Sequence, residues 1–220
     1  LATTAGTCPV MGTASTMACL SETLGFTIPG TAAIPAVHAD RLRASEATGE
    51  LAVELANKGL TPDQLLTNES IENALRVLLA IGGSTNAVIH LTAIAGRLGK
   101  KVSLETLNRL SDTTPMLVNL KPSGTHYMEH FFAAGGMGAV LRELKPLLHL
   151  NCLNISGQTL GERLEGEEEY VDYEVIRPLN DPVEPYGGLV ALFGSLAPQG
   201  AIIKRSAADS SLFERKGRAF

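Results

Sequence analysis

Hydrophobic residues in the first half of the chain recur at the three- and four-residue spacing of helices. After a loop around Cys8, the apolar positions at 14–24 predict a helix that stops at Gly25. The same pattern predicts a second helix over 38–58, although Gly49 weakens its middle. Another helix is predicted to follow a capping box that starts at Thr61, and a further one covers 68–81 with Asn68 as its cap. This half of the chain is therefore predicted to be mainly helical.

A glycine-rich turn precedes the most apolar helix of the pattern. Residues 82–86 read Gly-Gly-Ser-Thr-Asn, and the helix that follows stops at Gly99. Its apolar residues lie around most of its circumference, which is typical of a helix in a protein interior. Ser84 has the residue type of an N-cap for this helix.

The second half of the chain mixes helical and extended patterns. Helices are predicted from Ser103, over 127–134 and over 138–148, and buried strands at 116–120 and 153–155. The acidic residues at 165–169 are typical of a solvated linker. Short β-type runs follow at 190–193 and 201–203, and another strand is predicted from Gly217. The pattern predicts a helix-rich α/β portion followed by the start of a β domain.

Composition narrows the class of protein. The 220 residues are 45% hydrophobic and carry a net charge of −5, with 5% aromatic residues and no tryptophan. This balance argues against a nucleic-acid binder, which would show a basic face. No apolar run approaches the ~20 residues that span a membrane, and no secretory leader is visible. Three widely spaced cysteines suit a reducing compartment, so we expect a cytoplasmic protein.

Cys8 lies in a loop of small residues that leads directly into the first predicted helix. Backbone N–H groups of such a loop and the N-terminus of a helix both stabilise a thiolate, which can be a nucleophile or a metal ligand. A small buried cysteine fits the same residues equally well, so both interpretations stay open here. For Cys19 and Cys152, simple burial is the favoured interpretation.

Two other segments have the composition of ligand loops. Residues 82–85 offer N–H groups at a helix start, as an anion site does, but they lack the lysine of a phosphate-binding loop. A glycine turn with a capping serine is the favoured alternative. The loop from Lys121 to His126 follows a predicted strand, where α/β folds often bind ligands, although such residues more often only form a turn.

Three histidines, His38, His90 and His149, have neither an H-x-x-x-H partner nor an adjacent cysteine, so none of them belongs to a local metal motif. The acidic run at 165–169 is likewise interpreted as surface and not as a metal site.

Several longer motifs occur in a fixed order along the whole chain. They are Gly6-Thr7-Cys8 through Met17, Gly-Gly-Ser-Thr-Asn-Ala-Val-Ile-His-Leu at 82–91, Leu-Lys-Pro-Ser-Gly at 120–124, Ala-Gly-Gly-Met at 134–137, Asn-Ile-Ser-Gly-Gln-Thr-Leu at 154–160 and Leu-Ala-Pro-Gln-Gly-Ala-Ile-Ile-Lys at 196–204. In this order they resemble the family of dihydroxy-acid and sugar-acid (aldonate, phosphogluconate) dehydratases.

The resemblance implies a hydro-lyase that removes water from a 2,3-dihydroxy carboxylate and yields a 2-keto acid. It implies an iron–sulfur cluster (2Fe-2S or 4Fe-4S) held by three cysteines, whose open iron polarises the departing hydroxyl, and a Mg²⁺ ion that stabilises the enolate. By its place in the motif, Cys8 corresponds to the last of the three cluster cysteines. Ser84, Thr85 and Lys121 are the substrate-binding residues that we expect.

Other parts of the family's site are absent from this sequence. A Cys-Asp-Lys motif would lie before Leu1, and a Ser-Asp-x-Arg-x-Ser-Gly motif with the catalytic base would lie beyond Phe220. The Mg²⁺-binding glutamate of the barrel domain is not identifiable. Because the chain opens at Leu1 in the middle of a motif, we expect an internal fragment that contains no catalytic base and is inactive by itself.

The resemblance also implies a domain division. Residues 1–165 would form the C-terminal part of the iron–sulfur-binding domain, a helix-rich α/β/α portion, and residues 166–220 the linker and first strands of an incomplete C-terminal β-barrel domain. We expect the intact enzyme to be a homodimer or homotetramer that acts on a small polyhydroxy carboxylate, with no nucleic-acid or membrane partner.

The substrate and two rival functions remain open at this point. Residues 12–16 and 121–128 are more similar to the sugar-acid branch, so we predict a sugar acid. The alternative is a dihydroxy-acid dehydratase of branched-chain amino-acid biosynthesis. One rival is a non-catalytic binding protein of the same fold. The other is a phosphosugar enzyme or kinase that uses residues 82–85 as an anion loop.

Overall fold

The computed structural model describes residues 8–166 and 170–209, together with 211, 213, 214 and 216–218. Its helices are α1 (Thr13–Thr23), α2 (Ala39–Lys58), α3 (Pro62–Leu65), α4 (Asn68–Ala80), α5 (Asn86–Gly96), α6 (Leu104–Ser111), α7 (Met128–Ala133), α8 (Gly136–Glu143) and α9 (Leu160–Arg163). Strands β1 (Val190–Gly194) and β2 (Ala197–Ile203) follow, and short 3-10 turns lie at Lys145–Leu147 and Arg205–Ala207. The predicted class, helix-rich α/β followed by the first strands of a second part, is confirmed.

Helix α4 lies at the centre of the hydrophobic core. Nine of its residues are buried, among them the large side chains of Leu75, Leu78 and Leu79. Helices α1, α5 and α6 pack against it. Burial of each such leucine stabilises the fold by about 1.5–3 kcal/mol relative to an exposed side chain. Helix α4 therefore provides the support on which the N-terminal loop and the 82–86 turn rest.

Two predicted helix caps are wrong, and the hydrogen bonds show why. Thr67, not Asn68, caps α4, because its hydroxyl accepts from Ser70 N (3.1 Å) while Ser70 Oγ accepts from Thr67 N (2.9 Å). At α3 the Thr61 side chain makes no capping bond, and the helix starts with proline at its first turn. The capping box thus lies at Thr67 and Ser70.

Helix α5 was predicted to be interior, and this is wrong for its outer side. The buried residues of α5 are Ala87, Val88, Leu91 and Ala95, which face α1 and α4. Ile89 is 68% exposed and His90 is also exposed. A helix that is apolar all round is buried only where neighbours pack on every side, and within the described residues α5 has them on one side.

Helix α2 follows its prediction, starting at Ala39 in place of His38 and continuing through Gly49. None of its residues is buried, so its packing differs from that of α1 and α4. Among the described residues no helix combines the length and the apolar character that crossing a membrane requires.

The buried segment at 116–120 is extended, as predicted, but it forms isolated bridges and not a continuous strand. Met116 and Val118 pair antiparallel with Glu184 and Ile176, and Leu120 pairs parallel with His126. Leu117 N instead donates to Ala80 O at the end of α4 (2.8 Å). The strand predicted at 153–155 is likewise a single bridge, from Leu153 to Thr159.

The C-terminal strands form an antiparallel hairpin. Val190 pairs with Ile203 and Leu192 with Ala201, and the register shifts before Gly194 pairs with Ala197. Strand β2 starts earlier than predicted and includes Pro198. Gly217 is not in a strand, and residues 219 and 220 of that prediction lie outside the described residues, as do 167–169 of the predicted linker.

The helix predicted over 138–148 is shorter at its end. Helix α8 starts at Gly136, after Gly135 with a φ of 108°, and it ends at Glu143. A 3-10 turn at Lys145–Leu147 replaces its last residues, because Pro146 lacks the N–H that the helix would need.

Candidate functional site

The loop that carries Cys8 is held between two other loops by backbone hydrogen bonds. Met11 N donates to Lys121 O (2.9 Å), and Met128 N donates to Pro9 O (2.8 Å). The Cys8 thiol is free and half-buried. A Cβ added at Gly12, the residue before α1, would lie 3.2 Å from Cys8 Sγ. Glycine thus lets the start of α1 approach the sulfur closely.

The turn at 82–86 binds the start of α1 directly. Ser84 Oγ lies 2.9 Å from Thr13 Oγ1, and Asn86 Nδ2 donates to Thr13 Oγ1 (3.0 Å). Ser84 N donates to Thr16 Oγ1 (3.0 Å). The helix that follows has Thr85, not Ser84, as its N-cap, although Ser84 Oγ accepts from Asn86 N (3.2 Å). These bonds connect two motifs of the sequence that lie far apart along the chain.

The same bonds bear on the anion-loop interpretation of the 82–86 turn. The N–H groups of Gly82 and Gly83 donate to carbonyls of α4, and the N–H of Ser84 donates to a threonine hydroxyl. An anion loop needs such N–H groups directed at the ligand. The geometry therefore favours the alternative, a glycine turn that brings α5 close to α1.

The loop that begins at Lys121 is a tight turn built on Asn119. Asn119 Oδ1 accepts from Thr125 N (3.0 Å), and a Cβ at Gly124 would lie 2.2 Å from that oxygen, so the turn requires glycine. Lys121 Nζ lies 2.6 Å from Tyr127 OH and 4.2 Å from the centre of its ring. The ammonium group of Lys121 is thereby held against Tyr127, a contact that the sequence did not predict.

A cavity of about 370 Å³ opens beside Cys8. Its polar wall contains Ser15, Thr27, Arg41 and Glu129. Thr27 Oγ1 is buried and has no hydrogen-bond partner among the described residues. Arg41 donates to Ile34 O, which fixes its guanidinium at the wall. The cavity therefore brings a thiol, a cation, a carboxylate and hydroxyl groups to one place.

Sequence reasoning missed Thr27, Arg41 and Glu129. They come from a loop, from α2 and from α7, and each lies in a stretch with no motif of its own. The hydrogen bond from Met128 N to Pro9 O holds the start of α7, and with it Glu129, beside the Cys8 loop. The signal that could have located the cavity was the motif of Cys8 itself.

Cys19 and Cys152 are buried, as expected. Burial raises the pKa of both thiols, and at Cys19 the nearby Glu22 carboxylate raises it further. Both are therefore packing residues that stay protonated at neutral pH.

The described residues offer few donor groups for a metal ion. Within residues 8–166, 170–209 and the few described beyond them, no group of three or more His, Cys, Asp or Glu side chains could hold a metal ion. Cys8 can offer one thiolate, and a three-cysteine cluster needs two more. The described residues thus fit one ligand of a cluster and not a complete cluster site. The predicted Mg²⁺ site has no assembled ligands among them either.

The C-terminal segment reaches the same region through Ser206. Ser206 Oγ lies 2.9 Å from Ser123 Oγ in the Lys121 loop and also donates to Gly188 O (3.3 Å). A Cβ at Gly188 would lie 2.7 Å from Gly82 Cα, so the two glycine turns touch. Four motif segments, around Cys8, Ser84, Lys121 and Lys204, are therefore connected in space.

Models of two known protein domains match the segments that contain these motifs. The model of the dihydroxy-acid/6-phosphogluconate dehydratase N-terminal domain matches residues 1–163, and that of the C-terminal domain matches residues 174–220. The chain belongs to this dehydratase family. Members of the family are hydro-lyases, so the resemblance read from the motifs is confirmed.

Relatives of known name cover nearly the whole chain. A protein named dihydroxy-acid dehydratase from Caldicellulosiruptor bescii is 46% identical to this chain, over 97% of this chain and 39% of the relative. They are 44% identical in Acetivibrio thermocellus and in Ignicoccus hospitalis, with the same coverage. The chain thus spans about 39% of the length of these relatives.

Proposed function

We propose that this segment is part of an enzyme that dehydrates a 2,3-dihydroxy carboxylate to a 2-keto acid. The family match supports the dehydration, and the names of the relatives support a dihydroxy acid of branched-chain amino-acid biosynthesis as its substrate. They favour this alternative over the sugar acid that the motifs at 12–16 and 121–128 predicted. The observation that carries the proposal is the cavity beside Cys8, which opens next to the family's cysteine motif.

We propose that Cys8 supplies one thiolate to an iron–sulfur cluster whose other ligands lie outside the described residues. When bound, the cluster and a Mg²⁺ ion supply the positive charge that a departing hydroxide and a developing enolate require. The Cys8 loop would hold this ligand in place through the bonds of Met11 and Met128. The contacts among Thr13, Ser84 and Asn86 would fix the start of α1 beneath it.

The cavity residues have separate tasks in this proposal. The Arg41 guanidinium attracts a carboxylate, and Thr27 Oγ1 offers a hydrogen bond to a hydroxyl group of the substrate. Glu129 brings a carboxylate that can accept a hydrogen bond from such a hydroxyl and so orient it. Lys121, predicted to bind substrate, would act through the phenol of Tyr127, which it contacts. Ser84 would support α1 and Thr85 would begin α5, and neither would touch the substrate, because neither lines the cavity.

The domain division, the location and the assembly are also proposals. We place the end of the cluster-binding domain near residue 165 and the start of the C-terminal domain after it. We propose a cytoplasmic homo-oligomer, because the relatives are metabolic dehydratases.

The test uses the complete reading frame that encodes this segment. We expect the reconstituted enzyme to form 2-keto acid from a branched 2,3-dihydroxy acid at least tenfold faster than from an aldonate. Cys8→Ser should abolish this activity together with the cluster's visible absorbance, whereas Cys152→Ser should keep both. Faster turnover of the aldonate would instead support a sugar acid as the substrate. Full activity of Cys8→Ser would show that Cys8 is not a ligand of the cluster.

A further inference from the structure

The N-terminal end of α1 is not capped. A helix leaves its first N–H groups without partners inside the helix, and a side chain usually caps them. Gly12, the N-cap of α1, has no side chain that could do so. Among the described residues, no group accepts from the N–H groups of Thr13, Ala14 or Ser15. Three donors and the positive end of the helix dipole are therefore available to an anion.

This end of α1 borders the cavity beside Cys8. Ala14 and Ser15 of its first turn line the cavity wall. Cys8 and Pro9, from the loop before the helix, line it as well. The turn at 82–86 differs, because its N–H groups already donate to carbonyls and to a hydroxyl. The start of α1 thus has what that turn lacks, which is a set of N–H groups next to an open volume.

Two hydroxyl groups on the same wall also lack partners. Ser15 is only 6% exposed, and its hydroxyl makes no hydrogen bond within the part of the chain that the structure describes. Thr27 Oγ1 is buried and equally unpartnered there. Native proteins rarely leave buried polar groups in this state, because the loss of their hydration is then not compensated. A polar ligand in the cavity would supply the missing partners.

Arg41 provides a full positive charge at the wall. Its guanidinium donates to Ile34 O, and no described carboxylate lies within ion-pair distance of it. Glu129 lines the same cavity, but its carboxylate lies 3.8 Å from His130 Nε2 and so has a basic neighbour of its own. Although the chain carries a net charge of −5, this part of the wall therefore favours an anion.

We propose that the uncapped start of α1, together with Ser15 and Arg41, binds the carboxylate of the substrate without help from a cluster or a metal ion. We call this set the α1 carboxylate site. The inference rests on the proposed function for the identity of its ligand, whereas the donors of the site all belong to this chain. Thr27 lies on the same wall and would meet the 2-hydroxyl group of that ligand.

A short branched carboxylate matches both parts of the cavity. Its two oxygens can accept about four hydrogen bonds, which the N–H groups of α1, the Ser15 hydroxyl and the Arg41 guanidinium can donate. The rest of the wall is mostly apolar and suits a hydrocarbon chain. These apolar residues include Ala18, Ala33, Ile34 and Met128. The volume of about 370 Å³ lies in the range of small-molecule sites.

The first experiment is an NMR titration of the 220-residue chain with isovalerate, in buffer without iron or magnesium. The amide signals of Thr13, Ala14 and Ser15 should shift and saturate with a dissociation constant on the order of 1 mM, as expected for so small a ligand. Isovaleramide has the same shape without the charge and should bind at least tenfold more weakly. Equal affinity for the amide, or no saturable shift at these residues, would overturn the site.

Substitution of Arg41 tests the charge at the wall. Arg41→Gln should weaken isovalerate binding at least tenfold, and Arg41→Lys, which keeps the charge, should stay within about fivefold of the parent chain. Arg43→Gln is the matched control, because Arg43 also lies on α2 but is exposed and pairs with Asp40. Full affinity of Arg41→Gln, or an equal loss in both glutamine variants, would contradict the proposal.

A hydroxy acid tests the place of Thr27 beside the site. The parent chain should bind 2-hydroxyisovalerate about three- to tenfold more tightly than isovalerate, because the added hydroxyl can accept from Thr27 Oγ1. Thr27→Val should remove this preference and leave the affinity for isovalerate within about twofold. Because the deleted hydroxyl has no described partner, the melting temperature of the free chain should stay the same or rise. A preference that survives in Thr27→Val would contradict this placement of the ligand.

Thr31→Val is the control for that variant. Thr31 lines the same cavity, but its Oγ1 already donates to Ile28 O (2.6 Å). The substitution should therefore lower the melting temperature and keep the preference for the hydroxy acid. The two valine variants are thus expected to change stability and ligand preference in different ways, which a merely structural role of Thr27 would not produce.

Two further measurements separate the α1 carboxylate site from the proposed cluster. In the 220-residue chain, Cys8→Ser should bind isovalerate within about threefold of the parent, because no donor of the site is the thiol. In the complete enzyme, Arg41→Gln should raise KM at least tenfold and change kcat less than threefold, as loss of uniform substrate binding does. Loss of isovalerate binding in Cys8→Ser, or an unchanged KM in Arg41→Gln, would overturn the site. Faster turnover of an aldonate would contradict the proposed function but leave these binding results as expected.

Discussion

At the scale of single residues, the contact of α1 with the 82–86 turn depends on the absence of a side chain at Gly83. A Cβ there would lie 2.6 Å from Leu78 Cδ1 and 2.8 Å from Thr16 Cγ2. Thr16 is fully buried and accepts the hydrogen bond of Ser84 N, so it cannot move away without losing that bond. The glycine is therefore required by packing and not by an unusual backbone angle.

Gly83→Ala should lower the free energy of unfolding by about 1–3 kcal/mol, the usual cost of overpacking a core. Urea denaturation followed by circular dichroism measures the change. Gly96→Ala is the matched control, because a Cβ at Gly96 meets nothing within 4 Å. It should leave stability unchanged or raise it by up to ~1 kcal/mol, as alanine favours helix. Equal effects of the two variants would contradict the packing argument.

Lys204 yields a pH-dependent prediction at the same scale. Burial lowers the pKa of its amine, because the charged form is poorly solvated there. The unfolded chain then binds the proton more readily, so the fold gains stability as pH rises from the lowered pKa toward the unfolded value of ~10.4. Lys204→Met should raise the melting temperature at pH 7, and this gain should shrink toward pH 10. Lys101→Met, at an exposed position, should show no such trend.

At the scale of elements, the sequence predicted correctly those elements whose stability depends on nearby residues, and less well those that depend on distant ones. Helices α1, α2 and α4 were predicted because their apolar spacing is local information. The segment at 116–120 was predicted to be a strand, yet its partners are Ala80 O and a loop far along the chain. The run of apolar residues predicts that such a segment is buried and extended, but it does not predict which residues the segment pairs with.

The candidate site shows the same division. Cys8 could be found from its motif, whereas Thr27, Arg41 and Glu129 line the cavity only because three separate elements pack around it. The exposure of Ile89 on α5 could not be predicted either, because an apolar pattern does not indicate which elements pack against each side of a helix. Tertiary placement is thus what the sequence alone lacked.

A buried carboxylate joins three elements and carries the next prediction. Glu22 of α1 accepts from Gly30 N and Ala32 N (2.9 Å each) and pairs with Arg163 of α9. The Glu22 side chain is fully buried. Breaking a buried ion pair by removing one partner costs about 3–5 kcal/mol.

Glu22→Gln should therefore destabilise the fold by several kcal/mol, measured by the shift of the urea midpoint. Glu54→Gln is the control, because Glu54 forms an exposed ion pair with Lys58, and such pairs contribute at most ~1 kcal/mol. A Glu22→Gln variant as stable as the parent chain would show that the backbone N–H groups alone satisfy this side chain.

At the scale of the whole molecule, the two segments matched by separate family models are joined through α6. Asn108 of α6 donates to Ala191 O (2.9 Å) and accepts from Ala191 N (2.7 Å), as a neighbouring strand would. Ser111 Oγ donates to Leu189 O (2.7 Å) and accepts from Arg205 (3.2 Å). The hairpin β1–β2 thus depends on a helix of the other segment for its position.

Asn108→Ala should release this hairpin without unfolding the core. Two hydrogen bonds of about 1 kcal/mol each are lost, so amide hydrogen exchange in residues 190–203 should accelerate at least tenfold. Exchange in α4 should stay unchanged, because its buried side chains pack against α1, α5 and α6. Asn57→Ala, on the exposed end of α2, should affect neither region. Parallel acceleration in α4 and the hairpin would instead mean that the two segments unfold as one cooperative unit.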